Sequence, residues 1–335
     1  MDTHRLLKLL VLSCAVTASA AFNVSTLSFD EGFSPLFGGD NVVKSRDGKN
    51  VKLHLNRYSG SGFISSDMYD HGFFSASIKL PSDYTAGVVV AFYTSNGHIF
   101  EKRHDELDFE FLGNIRGKPW RIQTNVYGNG STSRGREERY TLPFDPTEEA
   151  HRYSILWSAD NIIFYIDDVP IREARRSAAM GGEYPPGGEY PLKPMSVYAT
   201  IWDGSTWATS GGKYKASYKY APFIAEFSDL VLMGCRTSPL QEYPSDQQCS
   251  GPDSELAAAE FSTLSPRKRA SMRRFREKYM TYSFCYDVLR YPDTLPDCDV
   301  IPSEKERFWK SGDTKFIVEK VRRRGRSKRR GQVDV

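Results

Sequence analysis

A chain of 335 residues that is 39% apolar and 13% aromatic has enough material for one large β domain or two average ones, which excludes disorder along its whole length. The formal net charge of +3 is unevenly spread. Eight Lys/Arg crowd into Lys320–Arg330, leaving a mildly acidic remainder for which no nucleic-acid partner is expected.

In chain order, Arg5 and Lys8 precede the apolar run Leu9–Val16, and Ala18-Ser19-Ala20 supplies small residues for cleavage. Residues 1–21 are therefore expected to be a signal peptide, cut near Ala20 or Ala21, and the protein to be secreted. The apolar run is far shorter than the ~20 residues of a bilayer span, and no other segment is long enough, so no membrane span is expected.

Residues 22–250 carry short β-like runs between turn signals, among them "GFFSASIKL", "GVVVAFYTS", "ELDFEFLG", "RIQTNVYG", "MSVYATIW" and "FSDLVLMG". The runs "YSILW" and "IIFYID" flank Ser158-Ala159-Asp160-Asn161 and predict a hairpin. Many short strands without helical patterns between them predict an all-β sandwich or barrel. Two sequons, at Asn23 and at Asn129, are candidate glycosylation sites.

Residues 251–310 change character. Ser265 as N-cap, Pro266 at the first helical position and Met272, Phe275 and Tyr279 at helical spacing predict one amphipathic helix packed on the sandwich. Cys235, Cys249, Cys285 and Cys298 remain after loss of Cys14 with the signal, and four cysteines allow three pairings. Sequential pairing closes the shortest loops and is the expected one. Zinc is the alternative, but no C-x2-C spacing is present and export favours disulfides. The basic tail, residues 311–335, reads as a solvated disordered segment, with contact to acidic polysaccharide as the other reading.

One stretch carries chemistry: "RHDELDFEFLG", residues 103–113. On a strand, Glu106, Asp108 and Glu110 share one face and Leu107, Phe109 and Phe111 the other. The apolar face belongs to a core, which leaves the acids to line a groove. Glu106 and Glu110 lie roughly 13 Å apart at Cα, at ~3.3 Å per residue. Inward lean on a concave sheet would bring the carboxyl groups toward the ~5–5.5 Å of a retaining glycosidase. Like-charge crowding then keeps one Glu protonated as a general acid. A solvated acidic face or a calcium site would use the same residue types, although the stretch fits a calcium loop poorly.

The stretch "HDELDFEFLGN" resembles the active-site motif of plant xyloglucan endotransglucosylase/hydrolases, members of glycoside hydrolase family 16. The resemblance runs from about residue 25 to 300 and includes "QTNVYGNG", "IWDGSTWATSGG" and the four C-terminal cysteines. It implies a jelly-roll sandwich of two curved antiparallel sheets with a concave substrate cleft, plus a C-terminal extension. It further implies Glu106 as nucleophile, Glu110 as acid/base and Asp108 as helper between them, with His104 and Asp105 in support. Substrate contacts are implied for Glu110, Gln123, Thr124, Asn125, Gly135, Arg136, Glu137, Thr206, Trp207, Gly211 and Arg290. Trp207 is expected to stack on sugar and Trp202 to pack in the core. The implied substrate is xyloglucan, as donor and as polymeric or oligosaccharide acceptor, in the apoplast and cell wall. Whether sugar or water takes the second step stays open, with transfer favoured. The chemistry needs no metal and no organic cofactor. The sequence departs from the family in two respects: "FLGNIRG" lacks a sequon, which lies instead at Asn129, and the basic tail beyond Arg307 is absent from many members, so the resemblance says nothing about its role.

Overall fold

The computed structural model describes residues 22, 24–128, 130, 135–176, 189–237 and 263–311. The signal at 1–21, the sequons at Asn23 and Asn129, Cys249 and the basic tail beyond 311 lie outside the described residues.

Runs rich in Val, Ile, Phe and Tyr become strands because branched and aromatic side chains pack well on a pleated surface. Eight strands form one antiparallel sheet. Their order is β1 (Phe33–Phe37), β4 (Ser61–Ser65), β13 (Ser196–Asp203), β6 (Val88–Ser95), β7 (Glu106–Leu112), β8 (Arg121–Tyr127), β9 (Glu138–Tyr140) and β15 (Met280–Ser283). Seven strands form the second sheet. There the order is β12 (Val169–Arg175), β11 (Asn161–Ile166), β10 (His151–Trp157), β5 (Met68–Lys79), β14 (Phe223–Thr237), β3 (Asn50–Leu55) and β2 (Val42–Lys44). Strands adjacent in space are often distant in sequence, β13 between β4 and β6 for instance, as in a jelly roll. The expected hairpin is β10–β11, with Trp157 opposite Ile162 and Ser158 N–H donating to the Asn161 carbonyl.

The main core lies between the sheets. Phe109 and Phe111 descend from β7 and meet Tyr153 and Phe164 of the opposing sheet edge-to-face, with centroids 5.2 Å apart for Phe109–Phe164 and 4.7 Å for Phe111–Tyr153. Such pairs add about 0.5–1.5 kcal/mol each to the burial itself. The apolar half of the acidic motif therefore anchors its strand on the core.

The expected helix spans Pro266–Tyr279, with Ser265 Oγ accepting from Lys268 N–H. Met272 joins a second apolar cluster with Phe22, Phe73, Leu156, Tyr165 and Val231, while Phe275 reaches the main core. Two elements were not expected: β15 directly after this helix and a second helix at Pro302–Ser311. "MTYS" is too short to show a period, and only its pairing with β9 makes it a strand.

Between the helices and the sandwich lies a buried ionic cluster. Arg276 donates to both Glu138 oxygens (2.6 and 2.9 Å) and to both Glu304 oxygens (3.0 and 3.1 Å). Tyr140 and Ser283 hydroxyls complete Glu138, and the Tyr286 hydroxyl donates to Glu304. Burial alone would raise the Glu138 carboxyl, but Arg276 and Arg172 outweigh it and hold the group at about 2. Cys285 and Cys298 form a disulfide, as sequential pairing requires. Cys235 is also disulfide-bonded.

Candidate active site

Side-chain alternation along β7 sends Leu107, Phe109 and Phe111 fully into the core and turns Glu106, Asp108 and Glu110 to the opposite face. All three acids line a cleft of about 390 Å³. β7 is the fifth of eight strands, so the acids sit near the middle of the sheet and the cleft runs across it.

Cross-strand register fixes what stands beside each acid. Glu110 lies opposite Gln123 on β8, which lies opposite Arg139 on β9, which lies opposite Tyr282 on β15. In the other direction Glu110 faces Ala91, then Thr200, then Gly62 and Phe37. One side of the row is therefore long and polar, and the other has a floor of small residues that leaves room for a ring. Gly62 is required there: a Cβ would stand 2.8 Å from the Phe37 ring and 2.9 Å from the Ala199 carbonyl oxygen.

The electrostatics separate the three acids. Burial raises Glu106 above the ordinary carboxylate value, opposed by hydrogen bonds from Ser95 and Asp108 and by His104, whose Nε2 lies 3.8 Å away. Burial raises Asp108 further, and Glu106 and Glu110 on either side add to it. The hydrogen bond between Asp108 and Glu106 adds to that rise, with Asp108 as donor and Glu106 as acceptor. Burial raises Glu110 to about 7, with Glu106 and Glu137 adding to the rise and Gln123 and Arg139 opposing it. Gln123 Nε2 donates to Glu110 Oε2 at 2.6 Å. The arrangement offers one carboxylate held by a hydrogen-bonding neighbour and one carboxylic acid able to release its proton near neutral pH.

The other expected residues divide. Asn125 stands opposite Asp108 on the cleft side, its Oδ1 accepting from the N–H groups of Val126 and Arg136. Thr124 does not reach the cleft. Alternation puts it on the core side opposite Phe109, where its Oγ1 accepts from Arg172. Arg136 is also corrected: it is fully buried, pairs with Asp297 at 3.1 Å and donates to the carbonyls of Val126 and Glu189. Its side chain braces the cleft wall from behind. Glu137 and Arg290 form an ion pair at the rim, and Gly135 packs under it, since a Cβ would come within 2.5 Å of Glu137 and 2.9 Å of Arg290.

Trp202 is the third correction. It follows Thr200 by two residues on β13, so it faces the cleft while Ile201 takes the core place. Trp207 is half-exposed in the loop after β13, with its ring 6.0 Å from that of Trp202. Thr206 and Gly211 are exposed in the same loop, Gly211 at φ +66°. Asp105 is fully buried, salt-bridged to Lys193 at 2.7 Å and accepting the N–H groups of Leu192 and Lys193. It pins the entry to β7 against the approach to β13.

Phe37, Tyr93 and Tyr127 line the cleft, and Arg139 and Tyr282 extend its polar row, yet none was singled out from the sequence. Carrying period-two alternation from Glu110 into β8 would have favoured Tyr127 over Thr124. The pairing of β1 and β15 with distant strands leaves no local trace.

The profile of "Glycosyl hydrolases family 16" matches residues 29–220, and that of "Xyloglucan endo-transglycosylase (XET) C-terminus" matches residues 251–298. The chain is 60% identical over 322 residues to "Probable xyloglucan endotransglucosylase/hydrolase protein 30" of Arabidopsis thaliana, covering 96% of this chain and 92% of that protein. It is 54% identical over 324 residues to protein 29 of the same series and organism, covering 91% of this chain and 88% of that one. A solved structure titled "Crh5 transglycosylase in complex with NAG" superposes with a TM-score of 0.50 at 21% identity, over 64% of this chain and 82% of that one, a likeness of fold.

Proposed function

The chain belongs to glycosyl hydrolase family 16 and within it to the xyloglucan endotransglucosylase/hydrolases, and from that membership and the cleft we propose that it cuts the β-1,4-glucan backbone of xyloglucan with retention and rejoins it to a second xyloglucan chain. The observation that carries this reading is the set Glu106, Asp108 and Glu110 on one cleft face, with Glu110 held at about 7.

Glu106 attacks the anomeric carbon of a backbone glucose, and the bond to the leaving 4-oxygen breaks as Glu110 gives that oxygen its proton. The donor half stays covalently bound through Glu106. As negative charge leaves Glu106, the hydrogen bond from Asp108 weakens its hold on that carboxyl group. Glu110, now ionised, takes a proton from the incoming hydroxyl, which attacks the anomeric carbon and frees Glu106. A glucan 4-hydroxyl yields a rejoined chain, and water yields a cut one.

The aromatic faces of Trp202 and Trp207 suit the apolar faces of glucose rings, and Gln123, Asn125, Glu137 and Arg290 offer polar contacts along the cleft. Thr206 and Gly211 lie in the loop that carries Trp207. We assign this work to the apoplast and cell wall, given the export signal in residues 1–21 and the carbohydrate substrate. The run Lys320–Arg330 supports contact between the tail and acidic wall polysaccharide.

Incubating the purified protein with xyloglucan and a labelled xyloglucan oligosaccharide tests the reading. Label is expected to enter polymer. New reducing ends without incorporated label would make the protein a hydrolase, and neither product would refute the assignment.

The proton on Glu110 also predicts a pH profile. In the free enzyme that group must be protonated for the first step, so kcat/KM is expected to fall as pH rises through about 7. A profile flat from acid into alkaline pH would show that another group supplies the proton.

A further inference from the structure

The row Tyr282–Arg139–Gln123–Glu110 crosses four strands, and each member is the register partner of the next. The Arg139 guanidinium lies over the Tyr282 ring, 4.9 Å from its centroid. Arg139 Nε donates to Gln123 Oε1 at 2.7 Å, and Gln123 Nε2 donates to Glu110 Oε2 at 2.6 Å. Tyr282 lies on β15, beyond the helix Pro266–Tyr279, so the row joins the C-terminal extension to the acid/base. Thr281 Oγ1 adds a hydrogen bond to the Arg139 carbonyl at 3.2 Å.

We propose that Arg139 is a positioning residue, clamped by Tyr282 of the C-terminal extension, which fixes the Gln123 amide on Glu110 and so sets how readily that acid gives up its proton. The inference rests on Glu110 being the acid/base. An unassisted Gln side chain can flip, exchanging its N–H donor for its carbonyl oxygen. With Arg139 donating to Oε1, only one orientation satisfies both neighbours, and in it the amide donates to Glu110. The positive charge behind the amide polarises it, which strengthens that hydrogen bond to the ionised carboxylate.

Several groups compete at Glu110. Glu106 on its own strand and Glu137 at the rim disfavour its ionised form, with Arg290 paired to Glu137, while Asp108 on the same strand is hydrogen-bonded to Glu106. Tyr127 on β8 and Tyr93 on β6 face the same cleft, and both are held protonated above their ordinary range, by burial first. Against the acids, Gln123 and Arg139 favour ionisation of Glu110. Removing Arg139 takes away one cation and frees the amide to turn, and both changes favour the protonated acid.

The test is the alkaline limb of kcat/KM, measured by label transfer between xyloglucan and a xyloglucan oligosaccharide. Arg139→Met is expected to move that limb upward by about half to one pH unit. Tyr282→Leu, which keeps Arg139 but removes its platform, is expected to move it in the same direction by less. Arg139→Lys, which keeps the charge, is expected to restore part of the shift. A limb unmoved in both Arg139→Met and Tyr282→Leu, with or without a fall in rate, would overturn the inference, since a purely structural or sugar-binding role lowers the rate without moving the limb. Glu110→Gln separates the two readings. If that variant keeps wild-type activity, the assignment of Glu110 fails; if it is inactive and the Arg139 limb does not move, only the role of Arg139 fails.

Discussion

Glu106→Gln is expected to lower turnover on xyloglucan by on the order of 10⁴–10⁶-fold, because an amide of the same shape keeps the packing but cannot form the covalent glycosyl-enzyme. Thermal unfolding should be little changed, as the side chain sits on the cleft face and the strand is held by Leu107, Phe109 and Phe111 behind it. The smaller Glu106→Ala leaves space beside the anomeric carbon. Added azide is expected to restore cleavage there and to give a glycosyl azide of inverted configuration. Wild-type turnover in either variant without added nucleophile would remove Glu106 from its role.

Arg276→Met is expected to destabilise the fold by about 3–5 kcal/mol, measured by urea unfolding. Arg276 is itself buried and bonded to Glu138 and Glu304, so its loss leaves two buried carboxylates short of charge balance. The pH dependence carries a second signature. Glu138 has its folded value depressed from 4.5 to about 2, so its contribution to stability is fully present above 4.5 and is lost as pH falls toward 2. Without Arg276 the depression shrinks, and the variant is expected to lose less further stability over that acid interval than the parent does. A variant as stable as the parent at neutral pH would show that the cluster contributes nothing net.

How much of this could be read beforehand differs by residue. The acidic face of β7 was legible because alternation is local: seven residues suffice to put Glu106, Asp108 and Glu110 together and to bury Phe109 and Phe111. The same rule, taken from Glu110 through the register to Gln123, excludes Thr124 from the cleft, but a residue-by-residue transfer of substrate contacts carried it in. Arg136 was misread through the same transfer. The resemblance implied a substrate contact for it along with its neighbours Gly135 and Glu137, yet its partners Asp297 and the Glu189 carbonyl are distant in sequence and draw it inside. Trp202 was misassigned because one apolar residue in "SVYATIWD" had to face the cleft, and only the register with β6 says which. The helix at Pro266–Tyr279 was legible from its cap and stripe, whereas Arg276, inside that stripe and buried against Glu138, followed no local pattern.

The Arg276 cluster also has a meaning for how the protein is made. Glu138 and Arg276 are 138 residues apart in the chain. At about 5–20 residues per second of synthesis, Glu138 leaves the ribosome roughly 7–28 s before its main partner exists. During that interval the sandwich strands can pair, but Glu138 on β9 has only the more distant Arg172 as a cation and the sheet edge β9 exposes has no β15 beside it. A chain released or cut before residue 276 would carry that open edge permanently, a form prone to pairing with other chains. The last part of the chain to emerge thus decides whether the earlier parts can complete their fold.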